Sequence, residues 1–211
     1  MNKLVRTIFE TFENPVFSVA DIKNIEPKDT IRYGLIKRAM KSGDLIQIKR
    51  GLYTLSSVLR KQPLNLPALA NRLYYPSYVS FEYALSAHGW IPESVIALTC
   101  ATSKNSTVFD TQVGLFSYKR VPQVTFFNSV EVVDSNEGSH LQALPLKALA
   151  DYIYVHKLNW TNSEPLIKSL RIEEEDLATL TAHDFEDIQG NYPTAPHVET
   201  FLTGLKKDLN L

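Results

Sequence analysis

Apolar positions in residues 29–55 change period once, at Gly43. Before Gly43 they recur at helical spacing, so the pattern predicts a helix over residues 30–42. Its inner side would carry Ile31, Leu35, Ile36, Ala39 and Met40. We expect Asp29 to cap this helix and Gly43 to end it. After Gly43, apolar residues alternate on both sides of Lys49-Arg50-Gly51, which is typical of a β-hairpin with a basic tip.

The segments before this stretch favour two further helices. Residues 4–12 keep helical spacing up to Asn14-Pro15, and Ser18 can cap a short helix over residues 19–25. Residues 26–28 then form a tight connection into the basic helix. Helix, short turn, basic helix and hairpin follow one another in the order of a winged helix-turn-helix, which reads DNA through its second helix.

The outer side of the predicted recognition helix supplies the candidate DNA contacts. Its N-terminal half would meet base edges, and lysines at either end would meet phosphates. The hairpin tip would reach the adjacent minor groove or its phosphates. Arg32 projects toward the apolar side, yet lies in the first turn and is included for a phosphate contact. The predicted DNA-binding residues are Lys28, Thr30, Arg32, Tyr33, Gly34, Lys37, Lys41, Lys49 and Arg50.

The remaining chain predicts a mixed body with a helical C-terminal segment. We expect a DNA-binding domain over residues 1–61 and a second domain over residues 66–211. The class is α+β. Helices are predicted at residues 66–75, between Ser80 and Gly89, in a segment that begins at Pro145, and at residues 166–170, 173–180, 182–189 and 197–209. Strands are predicted at residues 95–101, 113–120, 124–133 and 140–143.

Charge divides the chain in the same way. Residues 1–61 hold twelve lysines and arginines against six acids, a net charge of +6. Because the whole chain carries −1, the rest carries −7. This asymmetry indicates a polyanion-binding head on a body that does not bind polyanions.

Other classes of protein find little support in the sequence. Cys100 is the single cysteine and lies in an apolar run, which predicts a buried thiol and excludes an intramolecular disulfide. No signal peptide and no run of about 18 apolar residues is present, so we expect a cytoplasmic protein. The five histidines form no H-x-x-x-H pair and there is no glycine-rich phosphate loop. We therefore expect no metal, no cofactor and no catalytic residue.

Three segments resemble a known family. They are the Lys-Arg-Gly-Leu-Tyr segment at 49–53, the Pro-Ser-Tyr-Val-Ser-Phe-Glu-Tyr-Ala-Leu-Ser-Ala-His-Gly segment at 76–89, and the Ala-Leu-Pro-Leu-Lys-Ala-Leu-Ala-Asp segment at 143–151. In order and spacing they resemble the AbiEi-type antitoxins of abortive-infection toxin–antitoxin systems, over about residues 5–151. The resemblance implies a winged-helix repressor of its own operon that counters a nucleotidyltransferase-like toxin, with or without a stable complex.

Three functions follow as hypotheses. The first is an autorepressing type IV antitoxin, which binds repeated half-sites in its own promoter as a homodimer. The second is a winged-helix module for protein interaction. The third is a metal-dependent nuclease or nucleotidyltransferase relative, for which Asp110, Glu131 and Asp134 could supply an acidic cluster.

Overall fold

The computed structural model describes residues 1–93, 95–122 and 124–211. It confirms the α+β class. The described helices are α1 (Lys3–Thr11), α2 (Val19–Ile25), α3 (Asp29–Lys41), α4 (Leu66–Leu73), α5 (Phe81–Ala87), α6 (Pro145–His156), α7 (Glu164–Leu170), α8 (Glu174–Leu177), α9 (Ala182–Ile188) and α10 (Pro196–Asp208). The described strands are β1 (Val16–Ser18), β2 (Leu45–Lys49), β3 (Leu52–Leu55), β4 (Ser77–Val79), β5 (Leu98–Thr102), β6 (Thr107–Thr111), β7 (Gly114–Arg120), β8 (Val130–Val133) and β9 (His140–Ala143).

Local capping explains where the first helices begin. Ser18 caps α2 as predicted, since its hydroxyl accepts from the amide of Asp21 while the Asp21 carboxylate accepts from the Ser18 amide. The predicted cap of α3 is wrong. Asp29 is the first helical residue, and Lys28 occupies the capping position without a side-chain bond. The Asp29 carboxylate pairs with Arg32 instead.

The buried side of α3 is rotated from the predicted one. Ile31 is 46% exposed and Met40 is 37% exposed, whereas Arg32 is buried beside Ile36 and Ala39. Arg32 can occupy this inner position because its guanidinium finds acceptors there, as described below. A charged side chain has thereby taken the place that helical periodicity assigns to Ile31.

A small antiparallel sheet joins the N-terminal helices to the rest of the chain. Within the described residues its strand order is β1-β3-β2. One face, including Phe17 and Tyr53, packs into the same core as α1 and α3. The opposite face, including Val16, Ile48 and Leu52, belongs to the larger core of the body. The hairpin is therefore a buried joint, because apolar neighbours cover both of its faces.

The body is built on a six-stranded sheet whose order, in the described residues, is β6-β7-β5-β4-β9-β8. Cys100 lies at its centre and is fully buried, as predicted, and this burial raises the pKa of its thiol. The strand predicted over residues 124–133 is wrong in its first half, because only Val130–Val133 is extended. Phe126 there turns inward and stacks on Tyr78, with ring centroids 4.8 Å apart.

The body segments at 76–89 and 143–151 meet in a buried polar network. The Asp151 carboxylate accepts hydrogen bonds from the Tyr78 hydroxyl at 2.8 Å, the Ser80 hydroxyl at 2.8 Å and the Tyr192 hydroxyl at 2.7 Å. Lys147 lies 3.6 Å from the same carboxylate and donates to Tyr192 at 3.1 Å. Every member is shielded from solvent, so the network holds α6 to the sheet and to the C-terminal helices.

The side-chain cap predicted for α5 is wrong. Ser80 stands at the start of that helix but makes no capping bond with its side chain, and the hydroxyl oxygen of Thr99 accepts from the Tyr83 amide of the first turn instead, at 3.2 Å. Pro145 does occupy the first position of α6, as predicted. None of the described helices has both the length and the apolar character needed to cross a membrane.

Candidate nucleic-acid interface

The outer side of α3 is an exposed stripe of predicted contact residues. Thr30, Tyr33, Lys37 and Lys41 are all exposed and lie at positions i, i+3, i+7 and i+11 of one helix. Gly34 lies among them, and a side chain built there would meet no atom within 4 Å. The stripe is open enough for another molecule to approach the helix backbone.

The lysines of this stripe are free to bind an anion. Among the described residues, neither Lys37 nor Lys41 has a carboxylate within 4 Å. Lys28, at the start of the helix, is exposed and equally unpaired. The one acid of α3, Asp29, is paired with Arg32, so its charge is largely compensated. The stripe presents a net positive surface with polar and aromatic groups between the charges.

Helix α1 fixes the position of this stripe from behind. Leu4, Val5 and Ile8 form its buried side and pack in the same core as Ile36. The side-chain amide of Asn2 also donates to the backbone carbonyl of Leu35, at 3.0 Å. The exposed side of α3 therefore rests on a packed base, which is what a contact surface needs to keep its geometry.

Arg32 is not part of the exposed stripe, which corrects its inclusion among the phosphate contacts. Its Nη1 donates to the carbonyls of Glu26 and Pro27, each at 3.0 Å, and its Nη2 pairs with Asp29. These acceptors are the first two carbonyls of the turn between α2 and α3. Arg32 thus holds the two helices at their mutual angle, and its guanidinium is buried. The Asp29 carboxylate raises the pKa of Arg32.

Lys49 is likewise committed inside the protein. Its Nζ donates to the backbone carbonyl of Leu73 at 2.6 Å, at the C-terminal end of α4, where the helix dipole favours a cation. Burial lowers the pKa of Lys49, and the nearby charges of Lys104 and Arg72 lower it further. The structure therefore places Lys49 in the joint between the hairpin and α4, and not at a free tip.

Arg50 is the exposed residue of the hairpin turn. The loop between β2 and β3 consists of Arg50 and Gly51 alone, and Gly51 has a φ of +82°, a conformation that a residue with a Cβ adopts at a cost. So short a loop projects one side chain, so the hairpin offers a single cation to a ligand.

Two exposed residues of α3 were missed by helical periodicity. Arg38 is exposed and unpaired among the described residues, and Ile31 is 46% exposed. An apolar side chain beside polar groups suits contact with a thymine methyl. The sequence did contain a signal that Ile31 would be exposed, because Arg32 follows it. An arginine can occupy the buried side of a helix when backbone carbonyls lie within hydrogen-bonding reach of its guanidinium.

The acidic cluster considered for a metal-dependent enzyme does not assemble. Asp110 is on β6 and Glu131 is on β8, which are the two opposite edges of the body sheet. Five strand spacings separate them, about 24 Å at about 4.8 Å per strand. These two carboxylates cannot share a metal ion.

Comparisons with protein-family models and with curated proteins found no match to this chain.

Proposed function

We propose that residues 1–61 form a winged helix-turn-helix that binds double-stranded DNA through the outer side of α3. The observation that carries this proposal is the exposed stripe of Thr30, Tyr33, Lys37 and Lys41. Its lysines have no carboxylate partner among the residues that the structure describes, and packed helices lie behind it. A protein that neutralises phosphates with such lysines gains affinity through counterion release. Arg50 adds one contact from the hairpin.

The regulatory role that we propose is autorepression by a type IV antitoxin. It rests on the resemblance of three segments to the AbiEi-type antitoxins. One winged head covers a short stretch of groove, so repression would use two copies on repeated half-sites of the chain's own promoter. The functional partner would be a nucleotidyltransferase-like toxin. In this proposal the chain is a regulator and not an enzyme.

A protein-interaction role is the second candidate, and one observation favours it. Tyr33 is 54% exposed, and two apolar residues of the same helix, Ile31 and Met40, are exposed as well. Exposed apolar and aromatic side chains on one helix are common at protein interfaces. Salt distinguishes the two roles, because phosphate binding weakens steeply as salt rises and apolar docking does not.

Gel shifts with the DNA upstream of the gene test the proposal. Lys41→Gln should weaken binding to all sequences and lower the slope of log K against log salt by about 0.9, the value for one lost phosphate contact. Lys37→Gln should reduce the preference for upstream DNA over random DNA by about 1–3 kcal/mol. Lys207→Gln, an exposed lysine at the end of α10, is the matched control. Wild-type protein that does not bind the upstream DNA would refute the proposal.

Growth of cells that express the toxin separates repression from protection. The full-length variant K37Q/K41Q should lose repression of a promoter reporter and still protect the cells. The full chain is the right protein for this test, since removal of the body would uncover Val16, Ile48 and Leu52. We propose that protection against the toxin belongs to the body and repression to the outer side of α3. Loss of protection in this variant, with the protein folded and equally abundant, would contradict that division.

A further inference from the structure

The body contains a basic cleft of about 650 Å³ that the proposed function does not use. The cleft lies where the end of β7, the end of α6 and the start of α10 come together. Three cations line it, Lys119 and Arg120 from β7 and Lys157 from the residue that ends α6. Ser106, Thr194 and His197 line it as well.

The charge of this cleft is opposite to that of the body around it. After residue 61 the chain holds seventeen acids and ten lysines and arginines, yet none of the acids lines the cleft and three of the cations do. In the described part of the chain, none of the three cations has a carboxylate within 4 Å. Like charges gathered in a concave surface repel one another and attract an anion.

Two polar side chains complete the lining. The Ser106 oxygen accepts from the Arg120 amide at 3.0 Å, which leaves the hydroxyl hydrogen available to a ligand. The Nε2 atom of His197 is buried and has no hydrogen-bond partner among the described residues. The 13-residue helix α10 also begins here without a side-chain cap, and Glu199 in its first turn offsets part of the positive potential of its dipole.

We propose that this cleft binds a terminal phosphoryl group, carried by a free nucleotide or by the end of a nucleic-acid strand. A phosphate monoester has close to two negative charges at neutral pH and three terminal oxygens, so it can meet several cations and hydroxyl donors together. A single carboxylate would leave most of the positive charge uncompensated. This site is separate from α3, and the proposal does not depend on DNA binding by the N-terminal region.

Calorimetric titration of the full chain with sodium pyrophosphate tests the site, with ionic strength held constant by sodium chloride. Wild-type protein should show saturable binding, and K119Q/R120Q should weaken it at least tenfold. The control K168Q/K207Q removes the same charge from exposed positions elsewhere and should keep the wild-type affinity. Absence of saturable binding, or equal affinity in K119Q/R120Q and wild type, would overturn the proposal.

A second variant tests the same site in case K119Q/R120Q does not fold. Lys157 has a φ of +52°, a conformation that asparagine tolerates, so Lys157→Asn removes a cation from the cleft without new backbone strain. It should weaken pyrophosphate binding several-fold while the melting temperature stays within about 2 °C of the wild-type value, because exposed substitutions change stability little. Unchanged affinity in this variant would also overturn the proposal.

Competition identifies the source of the phosphate. The competitors are ATP, a 5′-phosphorylated trinucleotide and the same trinucleotide with a 5′-hydroxyl. Displacement of pyrophosphate by ATP supports a free nucleotide, and stronger displacement by the phosphorylated trinucleotide than by its 5′-hydroxyl form supports a strand end. Displacement by none of the competitors, or displacement by the 5′-hydroxyl trinucleotide that equals a measurable displacement by its phosphorylated form, would contradict a site for terminal phosphoryl groups.

Discussion

The outer side of α3 and the β2–β3 hairpin carry the same kinds of residue in different surroundings. Lys37 on α3 is exposed and unpaired among the described residues, whereas Lys49 on β2 donates to the carbonyl of Leu73 and has its pKa lowered by burial. A lysine is available to a ligand only where the fold leaves it without an internal partner. Basic residues of the same short segment therefore differ in function according to what packs on them.

The apolar residues of the two regions show the same contrast. Ile31 on α3 is 46% exposed and Ile48 on β2 is 5% exposed, although each stands in an apolar–polar pattern that predicts burial. The hairpin lies between two cores, and α3 has a core on one side only. Substitution of the same type of residue in α3 and in the hairpin therefore measures how differently the two regions contribute to stability and to binding.

The largest expected effect is on stability. Ile48→Ala removes buried methyl and methylene groups from the joint, and should lower the free energy of unfolding by about 2–5 kcal/mol. Ile31→Ala removes the same groups from an exposed position, and should change it by no more than about 0.5 kcal/mol. Urea denaturation followed by circular dichroism measures both. Equal losses would mean that the hairpin is not the buried joint described above.

A smaller effect is expected from two arginines of α3. Arg32→Gln should lower the free energy of unfolding by about 2 kcal/mol, because hydrogen bonds from a charged group to the carbonyls of Glu26 and Pro27 are lost. Arg38→Gln, on the exposed side of the same helix, is the matched control and should be nearly neutral. The same denaturation measurement applies. If Arg32→Gln proved as mild as its control, Arg32 would not be holding the turn.

The smallest effect concerns salt dependence and compares two neighbouring residues of the hairpin. Arg50→Gln should lower the slope of log K against log salt for binding to upstream DNA by about 0.9, as expected for one phosphate contact. Lys49→Gln should leave that slope unchanged, because its ammonium is engaged with Leu73. Binding measured between 50 and 200 mM salt, the range over which phosphate contacts show clearly, would reveal the difference. A lower slope for Lys49→Gln would show that this lysine leaves the joint when DNA binds.

Much of the fold could be predicted from local signals. The Ser18 cap, the glycine that ends α3, the Pro145 start of α6 and the change from helical to alternating period at residue 43 are all present as expected. Short strands were harder to predict from the sequence. β1, β4 and β6 were missed because three to five residues carry little periodicity, and their pairing partners are needed to define them.

The candidate site was predicted in part. The α3 stripe could be found from its period, since a helix with one buried side must expose the other. The basic cleft of the body could not, because Lys119, Lys157 and His197 come from three segments that only the fold brings together. The net charge of −7 after residue 61 also concealed it, since a sum over residues contains no information on where the charges lie.

The sequence by itself determined most of the helices, the longer strands, their order, and which side of most helices is apolar, because these depend on the spacing of side chains along one segment. Only the tertiary structure decided which partners the buried polar side chains bind. Lys49 bonds to a carbonyl 24 residues away, and Asp151 accepts from a tyrosine 41 residues away. A lysine or arginine can reach many partners, and which of them it meets depends on packing between segments that no local pattern encodes.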